Sequence, residues 1–444
     1  MKIVVVLIAL LGVVPLALLI HRSRRVAGLA WIGIGFLPFL LPAVQQVDIA
    51  LANYEGWLGY VHGIEITVID FLALALLLVL PKQRRVLNFH VPLAFYLFAL
   101  VLASFQAAQP LPAYFNIVQF ARIYLLIVVV TRGCVQEGVP LLLLKGLALG
   151  LGLQLVVVIH QLAGGSVVQP PGTFVHQNTL GMVVHLVALP HFALLLAGAR
   201  GLQFMIVPPV ALLIASLTAS RATLGLCVLG FAATYLLSLL RRLTARKIFI
   251  GALGVLGLLM LTPIMLSSFE RRFADAPLAE DVYDERAAFN RTARMVLSDY
   301  PMGVGPNHYV YVAKNFGYAV QAGVAPFENN LSNIVHNVYL LAAAETGYIG
   351  LAAVLFLLGY PLVVSAWFSV VSGPMRAGDL LLGLSVSIAI ISLHSIYEYI
   401  LFLKEVQYIF AIAVGTIFGV ATRVALLNGS PVQMTVNRAG FSWR

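Results

Sequence analysis

The polar segment 267–335 contains a stretch whose residue spacing could support phosphate chemistry. Residues 279–299 predict an amphipathic helix that ends before Pro301. Its apolar stripe is Val282, Phe289, Ala293 and Val296, and beside it Arg286, Asn290 and Arg294 follow at i, i+4 and i+8. Arginine is permanently charged and binds phosphate oxygens through a planar fork. The pattern fits a helix that binds lipid phosphates at a membrane surface, or an interfacial helix whose charges are only solvated.

Arg221 and His336 also stand where side-chain chemistry is plausible. Arg221 is the basic residue of a short turn, residues 219–221, between two apolar runs. It either contacts a phosphate or extends from a helix end toward water. His336 begins an apolar run directly after segment 267–335, beside Asn337. Histidine ordinarily titrates near working pH, so a histidine here could transfer a proton, or it could be structural.

Charged residues within predicted membrane helices are costly and therefore need a role. Arg122 could pair with Asp70 or Glu65 and hold helices together, or it could contact a diphosphate. Three more charged residues flank the last predicted outer turn and could line an acceptor groove: Glu398, Lys404 and Glu405. An acidic cluster at Asp281, Asp284 and Glu285 lacks any calcium-loop spacing, which favours helix surface charge over a metal site.

Composition places these residues in a membrane protein. Apolar residues make up 61% and charged residues 10% of 444 positions, with a mean hydropathy of +0.98. Soluble domains are roughly 45–50% apolar and about 25% charged. A spanning helix needs about 20 mostly apolar residues. The qualifying runs are 3–20, 27–44, 61–80, 90–107, 115–130, 139–163, 179–198, 202–218, 222–240, 247–266, 336–370, 378–396 and 406–424.

These runs predict an all-α, polytopic transmembrane helix bundle of about thirteen spans. Residues 1–444 form a single membrane domain, within which 267–335 is one large extracytoplasmic loop containing short amphipathic helices. A loop of that length is functional by default. The run 336–370 is too long for one simple span, so it begins as a short extracytoplasmic helix or tilts strongly.

Basic residues predict the orientation of the bundle. With the N-terminus outside and the C-terminus in the cytoplasm, the inner segments and Arg423 hold sixteen Lys and Arg residues and one acid, Glu137. The short outer loops 45–60, 108–114 and 164–178 hold no Lys or Arg. The net charge of +10 is therefore mostly a topology signal, and it does not require a nucleic-acid partner.

Four stretches, in order, resemble the O-antigen ligase and O-antigen polymerase family. They are PPGTFVHQNTLG at 170–181, TASRAT at 218–223, DYPMGVGPNHY at 299–309 with Arg286 upstream, and VHNVYLLAAAETGYIGL at 335–351. The last is the most specific, since it is similar to the family's His-Asn-x-x-Leu pattern followed by Glu-x-Gly-x-x-Gly. This family handles polyprenyl-diphosphate-linked glycans on the outer face of the bacterial inner membrane.

The resemblance implies a periplasm-facing active site with His336 as the catalytic residue. It implies diphosphate binding by Arg221 and Arg286. Arg291 and Arg294 are further candidates for diphosphate binding, or they pair with nearby acids. Further candidate substrate contacts are Asn337, His308, His176, Asn178 and Arg122. The implied enzyme needs no metal and no cofactor, because arginines can neutralise the departing diphosphate and a histidine can activate the acceptor hydroxyl.

The expected function is a glycosyltransferase that moves a saccharide from undecaprenyl diphosphate to an acceptor sugar hydroxyl with inversion. Polymerisation of O-antigen or exopolysaccharide repeat units is the preferred activity, with a glycan acceptor. Ligation to lipid A-core is the alternative, and protein glycosylation is a third possibility. A transporter would predict internal repeats and broken helices in matching halves, and the sequence has no convincing repeat. The expected partners are the lipid-linked glycan donor, its acceptor and membrane lipids.

Overall fold

The computed structural model describes residues 2–44, 48–82, 87–165, 167–275 and 284–428, and it consists almost entirely of helices. Ten helices precede the large loop: α1 Lys2–Arg22, α2 Arg24–Phe36, α3 Val68–Val79, α4 His90–Ser104, α5 Pro110–Cys134, α6 Val139–Ala163, α7 Gln177–Leu196, α8 Leu202–Leu217, α9 Arg221–Arg241 and α10 Ala245–Asp275. The loop contains α11 Glu285–Asp299, α12 Tyr309–Asn315, α13 Tyr318–Gln321 and α14 Glu328–Leu331. Three helices follow it: α15 Val338–Val371, α16 Arg376–His394 and α17 Lys404–Leu427.

The all-α polytopic class predicted from the sequence is confirmed. Each predicted apolar run overlaps a helix, and eight helices among the described residues are long and apolar enough to cross a membrane. Shorter apolar helices, such as α3, α4 and α8, accompany them. Helices α7 and α17 lie at the centre, since α7 packs against α8, α9 and α16, and α17 packs against α5.

The structure corrects the predicted span 61–80, because its first residues form a strand. Strand β1 (Asp48–Asn53) pairs antiparallel with β2 (Gly63–Thr67), and α3 begins only at Val68. The carboxylate of Asp70 accepts a hydrogen bond from the backbone N–H of Thr67 at 2.8 Å, which fixes the first turn of the helix. Apolar content alone does not separate a buried strand from a helix of the same hydrophobicity.

The long run 336–370 contains a break at Gly347. Helix α15 has non-helical backbone angles there, with φ +67°. A Cβ atom on this residue would lie 2.4 Å from the carbonyl oxygen of Pro301, so only glycine allows the large loop to approach the break. The first turns of α15 are thereby set off from the longer segment that follows.

The predicted large loop contains helical segments. Helix α10 continues to Asp275, whereas the predicted span ended at residue 266. Of the predicted helix 279–299, the structure describes 285–299 as α11, and Val282 lies outside the described residues. The apolar side of α11, including Phe289, Ala293 and Val296, is buried. Helix α11 therefore packs against the protein through its apolar side, and phosphate binding by its arginines stays a prediction.

The orientation of the bundle stays a prediction. The connections after α9 and after α15 lie at the end opposite the large loop, because both helices begin beside the loop and run away from it. We expect reporter fusions after residues 85, 245 and 376 to report the cytoplasm, and fusions at 50, 170 and 300 to report the outside. A mixture within either set would show that the span count is wrong.

Candidate active site

Glu398 is the point at which the predicted site residues meet. Its carboxylate lies in the turn between α16 and α17, with a side chain only 2% exposed. Oε1 accepts hydrogen bonds from Asn178 Nδ2 at 2.5 Å and from Arg286 Nη2 at 3.0 Å. Oε2 accepts a hydrogen bond from His336 Nδ1 at 2.9 Å. One buried carboxylate therefore joins α7, α11 and the start of α15.

The charge of Glu398 is stabilised by these partners. Burial opposes ionisation, but the hydrogen bond from His336 and the charges of His336, Arg286 and His176 outweigh it, so the pKa of Glu398 lies below its ordinary value. A buried carboxylate needs such partners, since an isolated buried charge is very costly. Glu398 is thus an anion at neutral pH.

The imidazole of His336 is oriented by its hydrogen bond to Glu398. Because Nδ1 donates to the carboxylate, the neutral ring keeps its lone pair on Nε2. Within the described parts of the chain, Nε2 has no hydrogen-bond partner, and the side chain is 24% exposed. The rings of Phe289 and Tyr399 flank the imidazole at centroid distances of 6.1 and 5.8 Å.

The Ser-Arg stretch reaches this cluster through Asn178. Ser220 Oγ donates to Asn178 Oδ1 at 2.6 Å and accepts from the backbone N–H of Thr223 as the N-cap of α9. Gly181, at the end of the first stretch, allows this contact between α7 and α9, since a Cβ there would lie 2.1 Å from Thr223 Oγ1. Arg221 follows the cap with an exposed side chain that has no partner in the part of the chain described.

Only Arg286 of the three arginines on α11 joins the cluster. Its side chain is 52% exposed, so part of its guanidinium stays accessible beside Glu398. Arg291 instead donates from Nε to the carbonyl of Ala322 at 3.1 Å. Arg294 is exposed, and no partner for it exists among the described residues. Of the four predicted diphosphate-binding arginines, Arg286 is therefore the one whose side chain contacts Glu398 among the described residues.

Asn337 and His176 hold the ends of helices. Asn337 Oδ1 accepts from the backbone N–H groups of Tyr339 and Leu340 at 2.9 and 3.0 Å, and Nδ2 donates to the carbonyl of Ile396 at 3.0 Å. His176 Nδ1 accepts from the backbone N–H of Asn178 at 3.2 Å, capping α7. These contacts fix the residues that flank His336 and Asn178.

The O-antigen ligase family model matches residues 204–355, a range that includes Arg221, Arg286 and His336. We call this range the O-antigen ligase domain, after the description of the family model that it matches. The match confirms the predicted resemblance to the O-antigen ligase and polymerase family over these residues. A comparison with curated proteins gave no match.

The O-antigen ligase domain ends before Glu398 and begins after Asn178. From the sequence, Glu398 was predicted only as a residue that could line an acceptor groove. Its contact with His336, which lies 62 positions earlier, could not be predicted from residue spacing. Its one signal was a carboxylate at a predicted outer turn. A charge at the end of a membrane helix is common enough that it does not identify a partner.

His308, another predicted substrate contact, has a structural position in the ligase domain. Its Nδ1 donates to the carbonyl of Pro306 at 2.8 Å, and its Nε2 accepts from the backbone N–H of Gln109 at 3.2 Å. Burial lowers its pKa. With both ring nitrogens bonded and the residue 0% exposed, His308 connects the large loop to the start of α5.

The later part of the fourth motif in the ligase domain supports the loop rather than the Glu398 cluster. Glu345 is buried, and its carboxylate accepts from Tyr60 Oη at 2.8 Å and from the backbone N–H of Tyr309 at 3.2 Å. With the break at Gly347, it anchors the end of the stretch 299–309. The Glu-x-Gly pattern is thus explained by packing.

Arg122 pairs with Asp70, which was one of its two predicted roles. Its Nε is 3.4 Å from Asp70 Oδ2, and its Nη2 donates to Tyr408 Oη at 2.9 Å. Tyr408 in turn donates to Asp70 Oδ1 at 2.9 Å. These contacts join α3, α5 and α17, and they do not connect Arg122 to Glu398.

The structure describes two of the three residues in the predicted acidic cluster, Asp284 and Glu285. Asp281 lies outside the described residues, and Asp284 caps α11 by accepting from the backbone N–H of Ala287 at 3.0 Å. Among residues that the structure describes, no group of three or more His, Cys, Asp or Glu is placed to hold a metal ion.

Proposed function

We propose that this enzyme transfers a saccharide from polyprenyl (undecaprenyl) diphosphate to an acceptor sugar hydroxyl at the periplasmic face of the bacterial inner membrane, with inversion. The observation that carries the proposal is the His336–Glu398 pair beside Arg286. It combines a candidate base with a cation, and Arg221 is connected to the same cluster through Ser220 and Asn178. Acid–base and phosphate-binding groups in one cluster are what transfer from a diphosphate donor requires.

The proposed step is a single displacement. His336 Nε2 accepts the proton of the acceptor hydroxyl while that oxygen forms a bond to the anomeric carbon. The bond from the anomeric carbon to the diphosphate oxygen breaks, and the diphosphate leaves with the electron pair. The guanidinium groups of Arg221 and Arg286 stabilise the charge on the leaving group. Glu398 holds the imidazole in the required tautomer and stabilises the imidazolium that forms.

We propose polymerisation of O-antigen or exopolysaccharide repeat units as the specific reaction. The description of the matching family model as O-antigen ligase favours transfer to a lipid A-core acceptor as the second candidate. The test supplies purified enzyme with an undecaprenyl-diphosphate-linked repeat unit, with and without lipid A-core. Longer lipid-linked chains without lipid A-core support polymerisation, and product only on lipid A-core supports ligation. No transfer in either mixture, with folded enzyme, would contradict the proposal.

The same assay tests the requirement for metal. We expect turnover to persist in the presence of a chelator, because Arg221 and Arg286 can supply the positive charge that a metal would otherwise bring to the diphosphate. Turnover is measured before and after chelation, and after addition of magnesium or manganese. Complete loss with chelator, restored by either ion, would show that the enzyme uses a metal.

Replacing Arg221 or Arg286 with Lys should lower turnover by about tenfold or more. Lysine keeps the positive charge but loses the planar fork that binds two phosphate oxygens at once. The matched control is Arg294→Lys, since Arg294 lies on the same helix as Arg286 and is exposed without a partner among the described residues. Its turnover should stay near that of the parent. A loss at Arg294 as large as the losses at Arg221 and Arg286 would contradict a specific diphosphate contact by Arg221 and Arg286.

A further inference from the structure

A pocket lies at the end of the bundle opposite the Glu398 cluster. It has a volume of about 780 Å³ and lies between the far ends of α7, α9, α15 and the near ends of α10 and α16. We call it the basal pocket, and its polar lining includes Arg241, Arg242, Lys247 and Asp379. Cavities of roughly 300–1,000 Å³ are typical of ligand sites. The site proposed above for glycan transfer does not use it.

One arginine of the basal pocket is fully engaged by the protein. Arg241 Nη1 donates to the carbonyl of Ser369, and Nη2 donates to the carbonyl of Gly373 at 2.6 Å. Its Nε lies 3.4 Å from Asp379 Oδ1. Arg241 therefore connects the end of α9 to the turn between α15 and α16, and it neutralises the one carboxylate among the described lining residues.

Two further cations leave the basal pocket with excess positive charge. Lys247 is 4% exposed, and its Nζ donates to the carbonyls of Ser238 and Arg242 at 2.7 and 2.8 Å. An ammonium group has three protons, so one remains for a ligand. The Arg242 side chain is exposed and has no partner in the part of the chain described. A buried lysine next to an unpaired guanidinium favours an anionic ligand.

The surroundings of the basal pocket indicate that the anion belongs to a lipid. Leu240 and Val370 line the pocket and are 83% and 75% exposed, and Trp367, one turn before Val370, is 65% exposed. These side chains lie on helices long and apolar enough to span a membrane. Exposed aliphatic side chains and a tryptophan at a helix end are typical of a surface that contacts acyl chains and the membrane interface.

We propose that the basal pocket binds the phosphate headgroup of an anionic phospholipid from the leaflet opposite the active site. Arg242 and Lys247 contact the phosphate, and the acyl chains extend past Leu240 and Val370. Basic pockets between membrane helices are a recognised chemistry for anionic lipid headgroups. The lipid would bridge α9, α10 and α15 and hold the start of α10, a helix whose apolar surface is otherwise exposed.

The test measures lipid affinity in detergent by native mass spectrometry. The purified protein is titrated with phosphatidylglycerol and, separately, with phosphatidylcholine. We expect phosphatidylglycerol to bind more tightly, and Arg242→Gln to weaken its binding about fivefold, the effect of one basic residue near a membrane surface. The matched control is Arg246→Gln, because Arg246 is exposed nearby but does not line the basal pocket. It should leave the affinity within about twofold of the parent.

Three outcomes would overturn the proposal. Equal weakening by Arg242→Gln and Arg246→Gln would indicate diffuse attraction to a basic surface. Equal affinity for both lipids would show that the phosphatidylglycerol charge is not recognised. Displacement of phosphatidylglycerol by millimolar glycerol 3-phosphate would show a site for a soluble anion instead of a lipid. Lys247→Met gives a second measurement. This variant should bind phosphatidylglycerol more weakly than the parent while eluting from a size-exclusion column as the parent does, which shows that it is folded.

Discussion

His336→Ala and His336→Gln should lose about 10²–10⁴-fold in turnover while the membrane abundance and the donor affinity of the protein stay close to those of the parent. The expected loss is that of a general base. Abundance should hold because the His336 side chain is partly exposed and its one polar contact is with Glu398, which retains Asn178 and Arg286 as donors. Turnover, donor binding and protein amount are measured on the same membranes.

A contrasting substitution separates a catalytic histidine from a structural one. His308→Ala removes a buried ring whose two nitrogens bond to the backbone, so it should lower the amount of folded protein. The enzyme that remains should keep most of its turnover per molecule. Near-normal turnover in both His336 variants would rule out His336 as the base. Loss of abundance in those variants, with normal turnover per molecule, would make His336 structural.

The positions of the helices could be predicted because the formation of a membrane helix depends mainly on a long apolar run of residues. Long apolar runs must satisfy their backbone groups internally, so each becomes a helix whatever its neighbours are. The exception at 61–80 has a physical cause, since Gly63–Thr67 satisfies its backbone by pairing with β1. That pairing is a contact between separate segments of the chain, so the hydropathy of residues 61–80 does not indicate it.

The site could be predicted only in part, because side-chain partners depend on the packing of distant helices. Helical spacing placed Arg286 and Arg294 on the same side of the predicted helix, but it could not indicate that of the two only Arg286 contacts Glu398. His308 and His336 both stand in motif stretches, and their sequence contexts do not reveal that one ring is enclosed by backbone partners. Burial and hydrogen bonding decide between such candidates, and both arise from the tertiary fold.

Glu398→Gln should lower turnover on the order of 10²-fold or more, although Glu398 need not touch either substrate. In serine proteases, replacing the carboxylate that orients a catalytic histidine with its amide reduces kcat by about 10⁴-fold. The amide keeps the shape of the side chain but removes the negative charge and one of the two acceptor oxygens. The Nδ1–H of His336 then has a poorer partner, so the tautomer with the lone pair on Nε2 is less favoured.

The substitution should separate kcat from donor affinity. Without the anion, Arg286 is released from its ion pair, so the donor should bind as tightly as in the parent or more tightly while kcat falls. Glu398→Asp retains the charge and should recover part of kcat. A lost donor affinity with unchanged kcat would mean that Glu398 serves binding and not the orientation of His336. The matched control is Glu345→Gln, a buried carboxylate bonded to Tyr60, which should lower protein amount but not kcat per molecule.

Stability against pH provides an independent measure of the same carboxylate. The pKa of Glu398 is lowered in the folded protein by His336 and Arg286 against the effect of burial. Its ionised form therefore stabilises the fold at neutral pH, and this contribution is lost as the pH falls through the folded-state pKa. The Gln variant has no such proton to take up, so the parent should exceed it in thermal stability near neutral pH and the difference should shrink on acidification. A difference that stays constant down to acidic pH would show that Glu398 is not held as the anion on which the orientation of His336 depends.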